Sequence, residues 1–294
     1  MVGATLCGGV LLAAEPAAGK ASIRGLPFSR VYSLEDIGYV PRGSRLNFDA
    51  FGRIAVIHDG VYSVLNDTAW LNVVDADQAA RTPMTDVVHA GYGRTYSGGR
   101  ATWGLAEFGT DGKLHAKPLV PANPPAWTRT TTFTDVIVTS DGVYFTSRSG
   151  FVFWDFARKE SEFIAARSTC AFVVGHRLYL AGLQQPLRYF DVKRRALITR
   201  PVAGLDAPIQ RAAPLDERRT LISCSNGRLL VFDGQDVAPW AGQLHHDLQG
   251  RVTVLRSLGD GNVAVAINGK GVFVLSAEGQ LRSSLTTPEY HQIS

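Results

Sequence analysis

A large apolar residue recurs along this chain at the end of a short run in which apolar and polar residues alternate. The positions, 36 to 46 residues apart, are Leu65, Phe108, Trp154, Phe190, Phe232 and Leu275. Before each position comes a β-rich stretch and a turn that carries Gly or Asp, and a polar stretch follows it. A period of this length built from strands predicts a β-propeller in which each repeat is one blade.

Two hairpins far apart in the chain show the repeat most clearly. Residues 52–65 are GRIAVIHDGVYSVL, and residues 261–275 are GNVAVAINGKGVFVL. Alternating apolar positions around a glycine-containing turn predict two antiparallel strands. Six such units are visible, so we predict an all-β propeller with six blades, or with seven blades of which the last is incomplete.

The predicted propeller covers residues 44–294, and a closing segment precedes it at residues 20–43. In that segment Phe28, Val31 and Tyr32 could form a strand that pairs with the last blade. Such closure would cover a sheet edge that an open propeller leaves unpaired.

The N-terminal residues predict export. Residues 1–19 are mostly small and apolar, which is typical of a secretory signal peptide, although no Lys or Arg precedes Lys20. A disordered tail is the alternative for this segment. No later stretch is long and apolar enough to predict a membrane-spanning helix. We therefore expect the propeller to be periplasmic or otherwise extracytoplasmic.

Composition is that of an ordered globular chain, with 45% hydrophobic and 19% charged residues, and with 30 Gly and 14 Pro for turns. The 30 basic and 26 acidic side chains give a net charge of +4, and the arginines are scattered along the chain. Without a basic stripe or a nucleic-acid-binding module, we predict no nucleic-acid partner. Beyond the predicted signal peptide only Cys170 and Cys224 remain, and whether they pair stays open.

The sequence lacks the familiar motifs of catalysis and metal binding. Among seven histidines only His245 and His246 are adjacent, and adjacent residues of a strand point to opposite faces. There is no Gly-x-Ser-x-Gly nucleophile motif, and the spacing of the carboxylates predicts no pair for glycoside hydrolysis. We predict no metal, no cofactor and no catalytic residues. The Asp that follows Trp154, Phe190 and Phe232 is interpreted as the first residue of a turn.

The best candidate for ligand recognition is a glycine-rich segment from His89 to Trp103, which we predict to be a loop at one face of the propeller. Its aromatic and Arg side chains can stack on sugars or peptides and can bind carboxylates in a forked geometry. The candidate ligand-binding residues are Tyr92, Arg94, Tyr96, Arg100 and Trp103. The alternative is that Tyr96 and Trp103 belong to the core of a blade.

Residues 26–38, LPFSRVYSLEDIG, and residues 43–67, GSRLNFDAFGRIAVIHDGVYSVLND, resemble the extracytoplasmic sensor propellers of bacterial two-component regulators. That family carries regulator-propeller repeats and a three-tyrosine domain. The likeness covers roughly residues 26–285. The resemblance implies an exported propeller that other members continue with more blades, the three-tyrosine domain, a membrane helix and an output such as a histidine kinase. We expect this chain to be the amino-terminal part of such a sensor or a stand-alone relative.

The resemblance implies a non-enzymatic sensor propeller, the input module of a two-component-type signalling protein. Its expected partners are a small-molecule or carbohydrate ligand and downstream signalling domains or a partner histidine kinase. One alternative is a secreted propeller enzyme that acts on polysaccharide as a lyase or glycosidase, which would cluster His, Arg, Tyr or carboxylates at one channel mouth. Another is a protein-interaction scaffold, which would expose an apolar face.

Overall fold

The structure is a computed structural model that describes residues 45–286, apart from gaps at 50, 59, 67–68, 75–82, 91–93, 184, 241–247, 249 and 259–260. The chain divides into two compact units, Met1–Val40 and Pro41–Ser294, and every described residue belongs to the second. The predicted signal peptide and the predicted closing segment lie outside the described residues.

The described residues form six four-stranded antiparallel sheets, each built from four strands that are consecutive in the sequence. Each sheet is one blade of a β-propeller, which confirms the predicted fold and the six repeat units. The first three blades consist of β1 (Arg45–Phe48), β2 (Ile54–His58), β3 (Val61–Asn66), β4 (Ala69–Asn72), β5 (Met84–Ala90), β6 (Arg94–Gly99), β7 (Thr102–Phe108), β8 (Leu114–Pro118), β9 (Asp135–Val138), β10 (Gly142–Thr146), β11 (Gly150–Asp155) and β12 (Glu160–Ala165).

The other three blades continue the same pattern of short strands. They consist of β13 (Cys170–Val174), β14 (Arg177–Ala181), β15 (Arg188–Asp191), β16 (Ala196–Thr199), β17 (Ile209–Pro214), β18 (Thr220–Cys224), β19 (Leu229–Phe232), β20 (Val237–Pro239), β21 (Val252–Ser257), β22 (Asn262–Ile267), β23 (Gly271–Ser276) and β24 (Leu281–Leu285). In the part of the chain that the structure describes, the one helical element is a 3-10 turn at Ala126–Arg129.

Burial differs regularly between the strands of a blade. Every residue of β10 and β18, the second strands of their blades, is buried because neighbouring blades cover both faces of the sheet. The fourth strands contain almost no buried residues, as in β4 and β24. Short apolar runs therefore mark the second and third strands, whereas the fourth strands carry little of that signal.

The recurring apolar position ends the third strand of a blade, or comes directly before its last residue, and its burial varies between blades. Phe190, Phe232 and Leu275 are buried in the core, whereas the Phe108 side chain is 45% exposed. The ring of Phe190 packs edge-on against Phe151 of the preceding blade at a centroid distance of 5.1 Å. The repeat thus marks the same place in each blade but not the same degree of burial.

The aspartates that follow the recurring aromatic residues begin turns, which confirms the interpretation made from the sequence. Asp155 Oδ1 accepts the backbone N–H groups of Ala157 and Arg158 at 2.9 and 3.0 Å. Asp233 Oδ1 likewise accepts the N–H groups of residues 235 and 236 at 2.7 and 2.8 Å. A carboxylate that closes a turn in this way is a structural element of the propeller.

The antiparallel order of the strands places alternate connections at opposite ends of the propeller. We call one end the crossover face: it carries the turns between the second and third strands of each blade and the connections from one blade to the next. The other end carries the remaining turns and is called the opposite face.

Candidate functional site

The glycine-rich segment predicted as a loop is largely strand. Residues 84–90 and 94–99 are β5 and β6, the first two strands of the second blade. A Cβ atom on Gly98 would lie 3.0 Å from the carbonyl oxygen of Phe133, and one on Gly99 would lie 2.1 Å from that of Pro83. These glycines therefore permit close packing of neighbouring backbone rather than flexibility. The loop prediction is wrong for residues 94–99.

Two of the five candidate ligand-binding residues lie in the core between the second and third blades. Tyr96 is 2% exposed and Trp103 is 1% exposed. The Trp103 indole packs edge-on against Phe133 at a centroid distance of 5.1 Å, and both rings belong to one hydrophobic cluster. Their placement is the alternative that the sequence left open, and neither ring offers a surface on which a ligand could stack.

Two other candidates lie at opposite ends of β6. Arg94 begins this strand and Arg100 follows its last residue, and both side chains are exposed. Because a strand rises about 3.3 Å per residue, the two arginines are roughly 20 Å apart and belong to opposite faces of the propeller. The fifth candidate, Tyr92, lies outside the described residues. The four described candidates do not form one site, and the role of all five in binding stays a prediction.

A polar network lies beside this strand, between the first and second blades. The Tyr62 hydroxyl is 3.1 Å from His89 Nε2, and His89 Nδ1 is 2.7 Å from Thr95 Oγ1. Burial lowers the pKa of His89, and the charge of Asp49 opposes this effect only partly. A neutral imidazole can donate one hydrogen bond and accept another, so the network is a structural link between blades.

A cavity of about 350 Å³ lies between the fourth and fifth blades. One wall is the connection between β14 and β15, and the other is the connection between β16 and β17. Both connections belong to the crossover face, so we call this cavity the crossover pocket. Its polar side chains among the described residues are Gln185, Arg200 and Asp206. Most of the remaining lining is Leu, Val, Ile, Ala and Pro.

Three hydrogen bonds hold the walls of the crossover pocket together. The backbone N–H of Arg200 donates to the Leu187 carbonyl at 2.7 Å, which joins one wall to the other. The backbone N–H of Ser225, in the fifth blade, donates to the Pro208 carbonyl at 2.8 Å. The Arg228 guanidinium donates to the Asp206 carboxylate at 2.7 Å. A pocket fixed in this way needs little ordering when a ligand binds.

The floor of the crossover pocket is the hydrophobic core shared by the fourth and fifth blades. Leu187 and Ile209 line the pocket and are buried in that core, and Val202 and Leu205 pack against the same cluster. Apolar floors with few polar groups are typical of small-molecule sites. The apolar residues that line the pocket therefore also belong to the core that holds the fourth and fifth blades together.

Arg200 is the one cationic side chain among the described residues that line the crossover pocket. Its Nε–H has no hydrogen-bond partner among the described residues, but it is enclosed by protein and does not face the open space of the pocket. The charge of Arg200 also acts on Asp233 of the fifth blade.

Basic residues recur in several turns of the crossover face. The described turns between second and third strands contain no acidic residue in the second, third, fifth and sixth blades, and each contains one basic residue. These residues are Arg100, Arg148, Arg228 and Lys270. The fold thus places on one face three arginines and a lysine that are scattered in the sequence, of which Arg228 is paired with Asp206. Reading the same position in successive repeats would have found this pattern.

The groups present set limits on the chemistry of the crossover pocket. Its described lining has one carboxylate, Asp206, and contains no His, Cys, Ser or Tyr. In the described ranges no three His, Cys, Asp or Glu side chains form a group that could hold a metal ion. No helix among the described residues is long and apolar enough to cross a membrane.

Both cysteines of the propeller are free thiols in the adjoining core. Cys224 is buried and Cys170 is partly buried. Burial raises the pKa of Cys170 to about 12 and that of Cys224 to about 11. Since the thiolate is the reactive form, neither residue is set up as a nucleophile near neutral pH.

Comparison with known proteins gives a likeness of fold. No family model and no curated protein matches this chain. Among solved structures, the extracellular domain of the putative hybrid two component system BT3049 from B. thetaiotaomicron matches 90% of this chain, with 12% identity and a TM-score of 0.64. The extracellular domain of the putative one component system BT4673 from the same organism matches 83%, with 11% identity and a TM-score of 0.57.

A propeller of another kind matches to a similar degree. The WD40 β-propeller domain of Doa1 matches 80% of this chain, with 16% identity and a TM-score of 0.55. The chain covers 79% of that domain, but only 38% and 33% of the two extracellular domains. At identities of 11–16% these matches show that this chain and the matched domains share a fold. The resemblance to extracytoplasmic two-component sensors is thus confirmed as a likeness of fold: this chain is a six-bladed β-propeller similar to part of their extracellular domains.

Proposed function

We propose that this protein is a non-enzymatic, exported sensor propeller that binds a small ligand and serves as the input module of a two-component-type signalling protein. The observation that carries the proposal is the crossover pocket, which is preformed and whose described lining is mostly apolar, with a single carboxylate. It is supported by the likeness of fold to extracellular domains of two-component systems.

The position of the pocket suggests how binding would be transmitted. A ligand that contacts both walls would favour the arrangement of the fourth and fifth blades in which those walls are correctly spaced. A ligand shifts a conformational equilibrium only by the difference in its affinity for the two states. Downstream signalling domains or a partner histidine kinase would respond to that shift.

The alternative of a polysaccharide lyase or glycosidase finds little support at this pocket. Glycoside hydrolysis generally uses two carboxyl groups that flank the scissile bond. The described lining offers only Asp206, which is already bound to Arg228. The pocket geometry therefore favours binding over hydrolysis.

The proposal is tested by thermal denaturation of the full chain against a panel of small acids, monosaccharides and oligosaccharides, followed by product analysis of every ligand that binds. A ligand at about 100 times its Kd should raise the melting temperature by several degrees. The ligand should be recovered unchanged after long incubation. Appearance of new reducing ends or of unsaturated uronate would instead identify an enzyme and overturn the proposal.

A further inference from the structure

We propose that part of the crossover face is a docking surface for an acidic segment of another polypeptide. Four arginines of the second, third and fourth blades form this surface, which we call the arginine surface: Arg100, Arg129, Arg148 and Arg167. The inference goes beyond the proposed function, since it concerns a partner protein rather than the ligand of the crossover pocket. It follows from the placement of these arginines, from their lack of acidic partners and from the groups around them.

The four arginines lie on segments that follow one another around the ring. Arg100 lies in the turn between β6 and β7, and Arg148 lies in the turn between β10 and β11. Arg129 lies in the connection from the second blade to the third, and Arg167 lies in the connection from the third blade to the fourth. The fold therefore brings to one sector of one face four residues of which successive members are 19 to 29 positions apart in the sequence.

Backbone hydrogen bonds hold the first two of these segments together. The N–H of Ala101 donates to the Thr131 carbonyl at 2.8 Å, and Arg100 forms a β-bridge with Thr132. Both threonines lie within three positions of Arg129 in the sequence. The second and third blades therefore hold the backbones of Arg100 and Arg129 close to each other.

The other two segments are joined in the same way. The N–H of Ser168, the residue after Arg167, donates to the Arg148 carbonyl at 3.3 Å. The N–H of Thr134, in the connection between the second and third blades, donates to the Thr146 carbonyl at 2.9 Å and so links the two pairs of segments. A surface fixed in this way needs little ordering when a partner binds.

The segments that carry the arginine surface do not neutralise its charge. Residues 100–101, 119–134, 147–149 and 166–169 are described without a gap, and they contain no Asp or Glu. All four arginines are exposed, and their guanidinium groups form no hydrogen bond or ion pair with another described residue. Exposed charges of one sign in one sector create a positive potential that attracts an acidic partner.

Two aspartates near the crossover ends of the adjoining first strands reduce this charge without cancelling it. Asp86 is buried, and it accepts hydrogen bonds from the Asn47 side chain at 3.1 Å and from the Val136 N–H at 2.7 Å. Asp135 begins β9 and accepts the Thr134 hydroxyl at 2.8 Å. If both aspartates are counted in full against the four arginines, a net charge of +2 remains in this sector.

Arginine is the residue best suited to the carboxylates of Asp and Glu. Its planar guanidinium pairs with both oxygens of a carboxylate, and Arg is enriched in protein–protein interfaces whereas Lys is depleted. Thr130 and Ser149, which are exposed beside Arg129 and Arg148, can donate hydrogen bonds from their hydroxyl groups to further carboxylate or peptide oxygens.

Other polyanions fit this surface less well. Bases and sugar rings stack on exposed aromatic rings, and the aromatic residues of these segments are Phe133, which is buried, and Trp127, which is half-buried and packs against Phe133. Binding to a lipid surface generally adds apolar side chains that enter the membrane. The large apolar side chains that are exposed among the described residues lie in other segments.

The test is fluorescence anisotropy of the full chain with a labelled peptide of Glu-Gly repeats, compared with a peptide of Gln-Gly repeats of the same length. We expect the acidic peptide to bind in dilute salt with a Kd below about 100 μM, and the neutral peptide to bind at least about tenfold more weakly. The affinity should fall as salt is added, because salt screens exposed charges. Polygalacturonate, single-stranded DNA and phosphatidylglycerol vesicles serve as unlabelled competitors.

Two fourfold variants separate the arginine surface from the net charge of the protein. Replacing all four of its arginines with Gln should weaken binding of the acidic peptide by about tenfold or more, since each exposed pair contributes up to about 1 kcal/mol. The matched control replaces four exposed basic residues in turns of the opposite face with Gln, and it should weaken binding by less than about threefold. These control residues are Arg158, Lys193, Arg194 and Arg218.

If the fourfold variant of the arginine surface fails to fold, Arg148→Glu provides the test, because it reverses one charge in an exposed turn. We expect this single change to weaken binding of the acidic peptide, whereas Arg194→Glu on the opposite face should leave the affinity nearly unchanged.

Several results would overturn the inference. Equal weakening by the surface variants and their controls, equal affinity for the acidic and neutral peptides, or absence of measurable binding would each do so. Displacement of the acidic peptide by polygalacturonate, DNA or vesicles at a lower concentration of negative charge would show that the partner is not a polypeptide. Because the crossover pocket takes no part in this binding, all these results leave the proposed function standing.

Discussion

Asp206 and Arg228 join one wall of the crossover pocket to the fifth blade. Arg228 Nη1 donates to Asp206 Oδ1 at 2.7 Å, although both side chains are largely exposed. Exposed ion pairs of this kind contribute at most about 1 kcal/mol to folding. The consequence of the pair is therefore local: it fixes the wall of the pocket and neutralises Asp206, the one carboxylate of the described lining.

Replacing Arg228 with Gln should therefore change stability very little. We expect the free energy of unfolding, measured with urea, to change by less than about 1 kcal/mol. A loss of several kcal/mol would show that the pair contributes more than an exposed ion pair does.

Arg195 should be more important for stability than Arg228. Its guanidinium reaches from the fourth blade to the third, where it binds Asp155 at 2.6 Å and Glu162 at 2.5 Å. The Arg195 side chain is only 25% exposed, so water screens these contacts weakly. Arg195→Met should lower the free energy of unfolding by about 1–3 kcal/mol. Arg194→Met is the matched control, since that side chain is 75% exposed and should change stability very little.

The contacts of Asp155 also make the stability of the fold depend on pH. Burial acts to raise the pKa of Asp155, but the backbone N–H groups of Arg158 and Ala157, together with Arg195, outweigh it and hold the pKa below its usual value of 3.8. The stabilisation is therefore complete above that value and is lost as the pH falls below it. As the pH falls through this range, the Arg195→Met variant should lose less free energy of unfolding than the wild type. An acid-unfolding profile parallel to that of the wild type would contradict the assignment.

Protonation of His89 should make stability depend on pH in a second range, nearer to neutrality. Burial lowers its pKa from the usual 6.5, so between the two values the unfolded chain binds more protons than the folded one. Stability should then decrease as the pH falls from about 7 through this range. His89→Gln should flatten the dependence of urea-unfolding midpoints on pH between 7 and 5. If the slope is the same in both proteins, another group is responsible.

The recurring apolar position supplies a matched pair of core variants. Phe190→Ala should lower the free energy of unfolding by about 3–5 kcal/mol, because it removes a buried ring that packs against three other rings. Phe108→Ala alters the same repeat position at an exposed site and should cost less than about 0.5 kcal/mol. Equal losses of stability would mean that the burial of these two positions is misassigned.

The fold could be predicted from the sequence because the same pattern of apolar residues repeats along the chain. Strands such as β2 and β3, or β22 and β23, bury half or more of their described residues, and six copies of these paired apolar runs determine the architecture. Fourth strands such as β16 escaped notice because they lie at the outer edge of each blade, where few side chains are buried. Glycines 98 and 99 misled the prediction of a loop, since composition does not distinguish a flexible glycine from one required by close packing.

The crossover pocket could not be predicted in the same way. Its walls, near residues 182–187 and 200–209, carry no motif and resemble ordinary proline-containing loops. They become a site only because the ends of the fourth blade meet the beginning of the fifth. The basic turns, in contrast, can be read in the sequence as one basic residue at the same place in four of the six repeats.

The central claim, that this propeller binds its ligand at the crossover pocket, is tested most directly by hydrogen exchange of the full chain with and without the compounds that raise its melting temperature in the panel of small acids, monosaccharides and oligosaccharides. We predict slower exchange in the peptides that cover residues 182–187 and 200–209, and no change in the peptides that cover residues 94–103. Protection of residues 94–103 with unchanged exchange at the pocket would contradict the account.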